Sequence, residues 1–150
     1  RLCAVWPKRF PNLAAAAPYA HMPRELAIYV YGGRMGNAAA PSDDGYVFRG
    51  RGLIMNTGRA NYTRLQRALG IPFVLKPELL EERANAALGA AWFWWEHKLS
   101  FLAAELPGDD DESDFVTLTR RINGGEHGLE RRRAYWRKAR AHLGLPEVEE

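Results

Sequence analysis

A single cysteine, Cys3, is all the thiol the sequence holds. No intrachain disulfide can form, which excludes the small secreted scaffolds that disulfides hold together; a free buried thiol is the expectation for Cys3. No apolar run approaches the roughly 18 residues of a membrane span, so a soluble chain is expected. His21, His97, His127 and His142 are scattered without metal-ligand spacing, and one cysteine makes no zinc cluster. A G-x-S-x-G elbow and a phosphate-binding P-loop are both missing. Neither a metal nor a cofactor is therefore expected. The chain also lacks strand-helix alternation, internal repeats and low-complexity linkers, which leaves a mainly α fold.

What is present fits one domain. The chain has 150 residues, 47% of them hydrophobic and 26% charged, and a fold of that size buries roughly 68–70% of the surface its unfolded chain exposes, so a single core is expected. It begins at Arg1, and Arg1-Leu2-Cys3-Ala4-Val5-Trp6 has neither the apolar core nor the cleavage site of a signal peptide. A start in mid-sequence suggests a fragment. The net charge of +3 is mild but uneven. Asp109-Asp110-Asp111-Glu112 is an acidic run, whereas Arg120, Arg121, Arg131, Arg132, Arg133, Arg137, Lys138 and Arg140 gather near the C-terminus. Such a basic face can attract nucleic acid or an anionic bacterial wall.

Periodicity places the helices. Four prolines break the first 25 residues into short pieces, with a turn or two over 12–17 and a short helix over 24–31. Tyr62, Leu65 and Leu69 mark a helix that stops at Gly70. Ala84, Ala87, Leu88, Ala91, Trp92 and Trp95 form the most apolar stripe, the expected centre of the core, with Trp94 off that stripe. Phe115, Leu118 and Ile122 follow, with Ser113 as N-cap and Gly124-Gly125 as stop. Leu129, Trp136 and Leu143 lie on a final arginine-rich helix. Between these stretches, residues 32–58 hold seven of the fourteen glycines and no helical period, which reads as loop with a short hairpin around Tyr46 to Ile54.

The run from Asp44 to Tyr62, DGYVFRGRGLIMNTGRANY, is the specific signal. Its glycines let the backbone approach a ligand closely, and its arginine, aromatic, threonine and asparagine side chains suit sugar hydroxyls. Its order resembles the signature of glycoside hydrolase family 19, in which a Gly-Arg-Gly turn precedes Ile-Gln-Leu-Thr-Gly-Arg and an Asn-Tyr pair that opens a helix. Three further stretches resemble the family in the same order: Tyr31 to Asn37 (YGGRMGN), a loop of its endolysin-type members, Lys76 to Leu80 (KPELL), and Arg121 to Gly125 (RINGG).

That resemblance covers residues 1 to about 143 and implies a lysozyme-like, mainly helical domain over 1–145, with a glycine-rich loop or short hairpin lining the cleft and an acidic tail at 146–150. It also implies hydrolysis, with inversion, of β-1,4-linked N-acetylated glycans, either chitin or peptidoglycan, by a monomer. Thr57 matches the hydroxyl that helps hold the attacking water. Asn61, Asn123 and Arg132 match residues that contact the substrate or support its cleft, and Tyr46 and Arg51 join them as candidate substrate-binding residues of the loop. Helix capping is the plain alternative for Thr57 and Asn61, and a solvated face for Arg132.

Two residues depart from the signature. Met55 stands for its Gln and supplies no amide to a sugar. Asn56 stands for its Leu and, pointing inward, would require a partner. An inverting glycosidase needs one carboxylic acid and one carboxylate about 6.5–9.5 Å apart, and in the family both glutamates precede the region matching Arg1 to Phe10. The chain's own Glu25, Glu78, Glu81, Glu82, Glu96 and Glu105 read as a solvated face. A non-catalytic glycan-binding relative is thus the rival reading; a nucleic-acid binder leaves the glycine-rich signature unexplained.

Overall fold

A computed structural model describes residues 1–104 and 111–145. Asp109, Asp110 and the tail 146–150 lie outside the described residues. The chain forms two compact units, Arg1–Phe93 and Trp94–Glu150. Helices dominate both, and among the described residues the only β-type pairing is one isolated bridge, between Arg51 and Asn56. The mainly α expectation holds. Among the described residues no helix is long and apolar enough to cross a membrane.

In the first unit the prolines act as expected. Helices α1 (Leu2–Val5), α2 (Leu13–Ala16) and α3 (Pro23–Tyr31) are short, and Asn12 caps α2 by accepting from the Ala15 amide at 2.9 Å. They close on Phe10, Ala16 and Val30, with the free thiol of Cys3 half-buried against them. A second cluster holds Phe48, Tyr62, Leu65, Phe73, Leu80 and Trp92, so two clusters stand where one core was expected. Helix α5 (Arg59–Leu69) supplies Tyr62 and Leu65, both fully buried, and ends on Gly70 in the left-handed conformation.

Two expectations are corrected here. The segment assigned to a hairpin at 46–54 instead starts as helix α4 (Asp44–Val47), and its β-type pairing comes later, at Arg51 and Asn56. Helix α6 (Arg83–Glu96) buries Ala86, Gly89 and Trp92, of which only Trp92 belongs to the expected stripe; Ala84, Ala87, Leu88 and Ala91 are exposed, and Trp95 is 73% exposed. The cause is steric. A Cβ on Gly89 would lie 3.2 Å from Leu80 Cδ2 and 3.7 Å from Leu65 Cδ2, so the helix turns its smallest residues to the cluster and the backbone comes in close.

The second unit contains α7 (Leu99–Ala104), α8 (Asp111–Asn123) and α9 (Leu129–His142). Helix α8 begins two residues before Ser113, the expected cap, and its amide ladder closes at Gly124. Phe115 of α8 stacks on Trp136 of α9 with ring centroids 4.7 Å apart. Arg133 of α9 forms ion pairs with Glu112 of α8 and with Glu130.

Candidate functional site

The run from Asp44 to Tyr62 folds back on itself before α5. Phe48 accepts from the Gly58 amide at 2.8 Å, and the Arg51 and Asn56 backbones each donate to the other, at 3.2 and 2.8 Å. Residues 52–55 form the turn between them, with Leu53 and Met55 exposed on it. Ahead of this run, the loop 31–37 is held against the start of α5: Ala60 donates to the Met35 carbonyl at 3.1 Å, and Arg59 donates its amide to Asn37 Oδ1 at 2.8 Å. Only glycine fits where the two meet. At Gly58, with φ at +91°, a Cβ would stand 2.5 Å from Met35 Cβ, and at Gly36 (φ +76°) 2.8 Å from Ala60 Cβ.

Asp44 ties these pieces together. Its carboxylate takes Arg59 Nη2 at 2.6 Å and Nε at 2.7 Å in a two-pronged pair, and also the Ala38 amide at 2.9 Å. The Arg59 bond, ahead of the opposing effect of burial, lowers the Asp44 pKa to about 2. The same guanidinium lies over the Phe48 ring, 4.4 Å from its centroid. This network was missed in the sequence, where fifteen residues separate Asp44 from Arg59; the signal was an aspartate and an arginine at either end of one glycine-rich run.

Arg51 is buried beneath the turn. Its Nε reaches Glu81 Oε1 at 2.8 Å, and its Nη1 reaches the Val47 carbonyl at 2.6 Å and Tyr62 Oη at 3.1 Å. Burial works against the charged guanidinium, but the bonds to Tyr62 and Glu81 outweigh it and the pKa rises. Tyr62 Oη in turn donates to the Arg49 carbonyl at 2.8 Å, and burial pushes its own pKa up. Tyr46 is half-buried, with the Arg49 guanidinium 4.5 Å from its ring centroid.

Thr57 and Asn61 sit together at the start of α5. Thr57 Oγ1 donates to the Met55 carbonyl at 2.7 Å, and Asn61 Nδ2 donates to the Thr57 carbonyl at 2.7 Å. Asn61 Oδ1 accepts from Arg64 at 2.6 Å. Neither is the cap of α5: that position is Gly58, with no side-chain bond. A Cβ on Gly50 would meet Met55 Cε at 2.9 Å and Thr57 Oγ1 at 3.1 Å, so Gly50, Met55 and Thr57 share one small surface. All four of Tyr46, Arg51, Thr57 and Asn61 belong to the first unit, where Thr57 and Asn61 are bonded to each other, Tyr46 lies against Arg49, and Arg51 is taken up by Glu81, Val47 and Tyr62. Asn123 and Arg132 belong to the second unit, where Asn123 Nδ2 donates to the His127 carbonyl at 2.9 Å and Arg132 is exposed on α9. Among the described residues no group of three or more His, Cys, Asp or Glu side chains is placed to hold a metal ion.

Comparison with known proteins gives the family. Over 126 residues, 83% of the chain, the sequence is 35% identical to a glycosyl hydrolase family 19 domain-containing protein of Haemophilus influenzae. The chain belongs to glycoside hydrolase family 19. It spans 57% of the length of that relative. An endochitinase of Arabidopsis thaliana is 32% identical over 87 residues, 57% of this chain and 28% of the plant protein, and a second is 31% identical over 91 residues, 60% and 29%. No family model matches the chain.

Against the family 19 signature, the two departures are structurally unlike. Met55, in place of Gln, is 64% exposed and holds a left-handed φ of +55°. Asn56, in place of Leu, is buried, 7% exposed, and its Nδ2 has no hydrogen-bond partner. The Leu of the family 19 pattern asks for no partner in such a place; the amide does.

Proposed function

We propose that the chain binds β-1,4-linked N-acetylated glycan, chitin or peptidoglycan, on the surface formed by Gly50, Met55, Thr57 and Asn61, as the substrate-holding part of an inverting glycosidase. The observation that carries this reading is the pairing of Thr57 with Asn61 through a 2.7 Å bond at the start of α5, in a segment that follows the family signature. The bond fixes the asparagine side chain beside the threonine. A pre-set pair spends less conformational entropy when it meets a sugar.

In this reading Thr57 helps hold the attacking water and Tyr46 flanks the bound sugar. Arg51 acts by positioning: with its Nε and Nη1 spent on Glu81, Val47 and Tyr62, it fixes the turn from below. Asn123 and Arg132 are retained as substrate contacts of the second unit on the resemblance. The family places acid and base in glutamates that match none of this chain's own.

Calorimetry with N-acetylglucosamine oligomers tests the proposal. Asn61→Ala is expected to weaken binding by about 1–3 kcal/mol, while circular dichroism and the melting temperature report whether α5 survives. Equal affinity in mutant and parent removes Asn61 from the site.

A further inference from the structure

Helix α5 carries Arg59, Arg64 and Arg67 and neither Asp nor Glu. The residues three and four positions from Arg64 along that helix are Ala60, Asn61, Arg67 and Ala68, so the ion pair that commonly engages an exposed helical arginine has no acidic member there. The guanidinium turns to a neutral amide instead, and Arg64 Nη2 donates to Asn61 Oδ1 at 2.6 Å. Arg67, one turn further on, adds a like charge at i+3, which works against the helix. Support of the helix is therefore a poor account of an arginine at position 64.

Asn61, half-buried, is held at both ends of its amide. Its Nδ2 donates to the Thr57 carbonyl at 2.7 Å, and its Oδ1 accepts from Arg64. An asparagine amide has two N–H donors and two acceptor lone pairs, so these bonds leave one donor and one acceptor for a ligand and set where both point. With the Thr57 bond alone, the amide can swing about a single tether; the bond to Arg64 fixes its plane. The positive charge at Oδ1 also draws electron density from the amide and strengthens the remaining N–H as a donor.

We propose that Arg64 is a positioning residue of the glycan surface, locking the Asn61 amide in the orientation that meets the sugar, a role that rests on the glycan-binding reading above and deepens it. Arg64 acts through Asn61 and does not itself touch the sugar. Like the bond to Thr57, its bond is made before the ligand arrives, so less order is lost on binding.

NMR and calorimetry on the 150-residue chain test the role. In the free protein, the Asn61 side-chain amide is expected to be ordered, to lose order in Arg64→Met, and to keep most of it in Arg64→Lys, which retains a charged donor. Arg64→Met should then bind N-acetylglucosamine oligomers about threefold to tenfold more weakly, the worth of about one net hydrogen bond, with Arg64→Lys recovering part of the loss. The melting temperature of Arg64→Met should hold, since a like charge beside Arg67 is removed and methionine is a good helix former. In an Asn61→Ala background, Arg64→Met should cost nothing further.

An equal loss in both backgrounds would show that Arg64 contacts the sugar directly and overturn the positioning role. Arg64→Met that binds like the parent, keeps the Asn61 amide ordered, or binds more weakly only with a lowered melting temperature overturns it too, the last being the mark of a merely structural residue. Asn61→Ala that binds like the parent removes both residues from the site. In all of these outcomes the parent still binds, and the glycan-binding reading stands. A parent that binds no oligomer refutes that reading and the role of Arg64 with it.

Discussion

Arg51 and Asn56 face each other across a four-residue turn, joined by two backbone bonds, and their side chains differ in satisfaction: the Arg51 guanidinium has three protein partners, whereas Asn56 Nδ2 has none. Both residues are buried. One end of the turn is therefore anchored by a paired charge, and the other carries an unpaired donor, the costlier state for a buried polar group. The turn also presents Met55 beside Thr57, so its stability and its ligand contacts can be probed separately.

Replacing Asn56 with the family's leucine should stabilise the domain. The substitution removes an unpaired buried amide and adds apolar contact, a gain of about 1–3 kcal/mol. Urea unfolding of Asn56→Leu beside the parent measures it. A lower midpoint would mean that the amide holds a partner such as an internal water.

Met55→Gln should act on binding instead. Met55 is exposed and its methyl lies over Gly50 near Thr57, so an amide there meets solvent or a sugar hydroxyl without entering the core. Affinity for N-acetylglucosamine oligomers is expected to rise by about 1 kcal/mol, one net hydrogen bond, with an unchanged melting temperature. An unchanged affinity removes position 55 from the sugar surface.

These two residues also show what could be read in advance. The residue types at 55 and 56 marked them as departures, and an inward Asn56 was expected to need a partner; that none is present required coordinates. The periods of α5 and α8 were legible because their apolar residues occupy one face. Helix α6 is apolar on most sides, so its period could not choose a face, and the choice fell to the small residues Ala86 and Gly89 through contacts with Leu80 and Leu65. The Asp44–Arg59 pair joins the two ends of the glycine-rich run, and the sequence alone does not choose Arg59 over Arg49 or Arg51 as the partner of Asp44.

That pair makes stability depend on acid. The pKa of Asp44 is about 2 in the folded chain, below the ordinary carboxylate value near 3.8, so its contribution is fully present above about pH 4 and is lost as pH falls toward 2. At about 1.4 kcal/mol per unit, the shift corresponds to about 2 kcal/mol. Asp44→Asn should be less stable than the parent at pH 7 and should show a shallower decline between pH 4 and 2. Parallel declines in urea midpoint would show that Asp44 is not the titrating group.

Turnover is expected to separate from binding. Among the carboxylates near the proposed sugar surface, Asp44 is held ionised by Arg59, which disqualifies it as a general acid at the pH of most assays, and Glu81 is paired with Arg51 and Arg49. The family's acid and base match neither of them nor any other glutamate of this chain. Positioned acid and base groups each contribute about 10²–10⁴-fold, so a polypeptide of these 150 residues should bind glycan and release no detectable reducing ends from chitin oligomers or peptidoglycan. The measurement is reducing-end release by these 150 residues, with a Glu81→Gln variant beside them. Turnover that disappears in that variant would place the catalytic carboxylate at Glu81 and overturn the assignment of this chain to substrate holding alone.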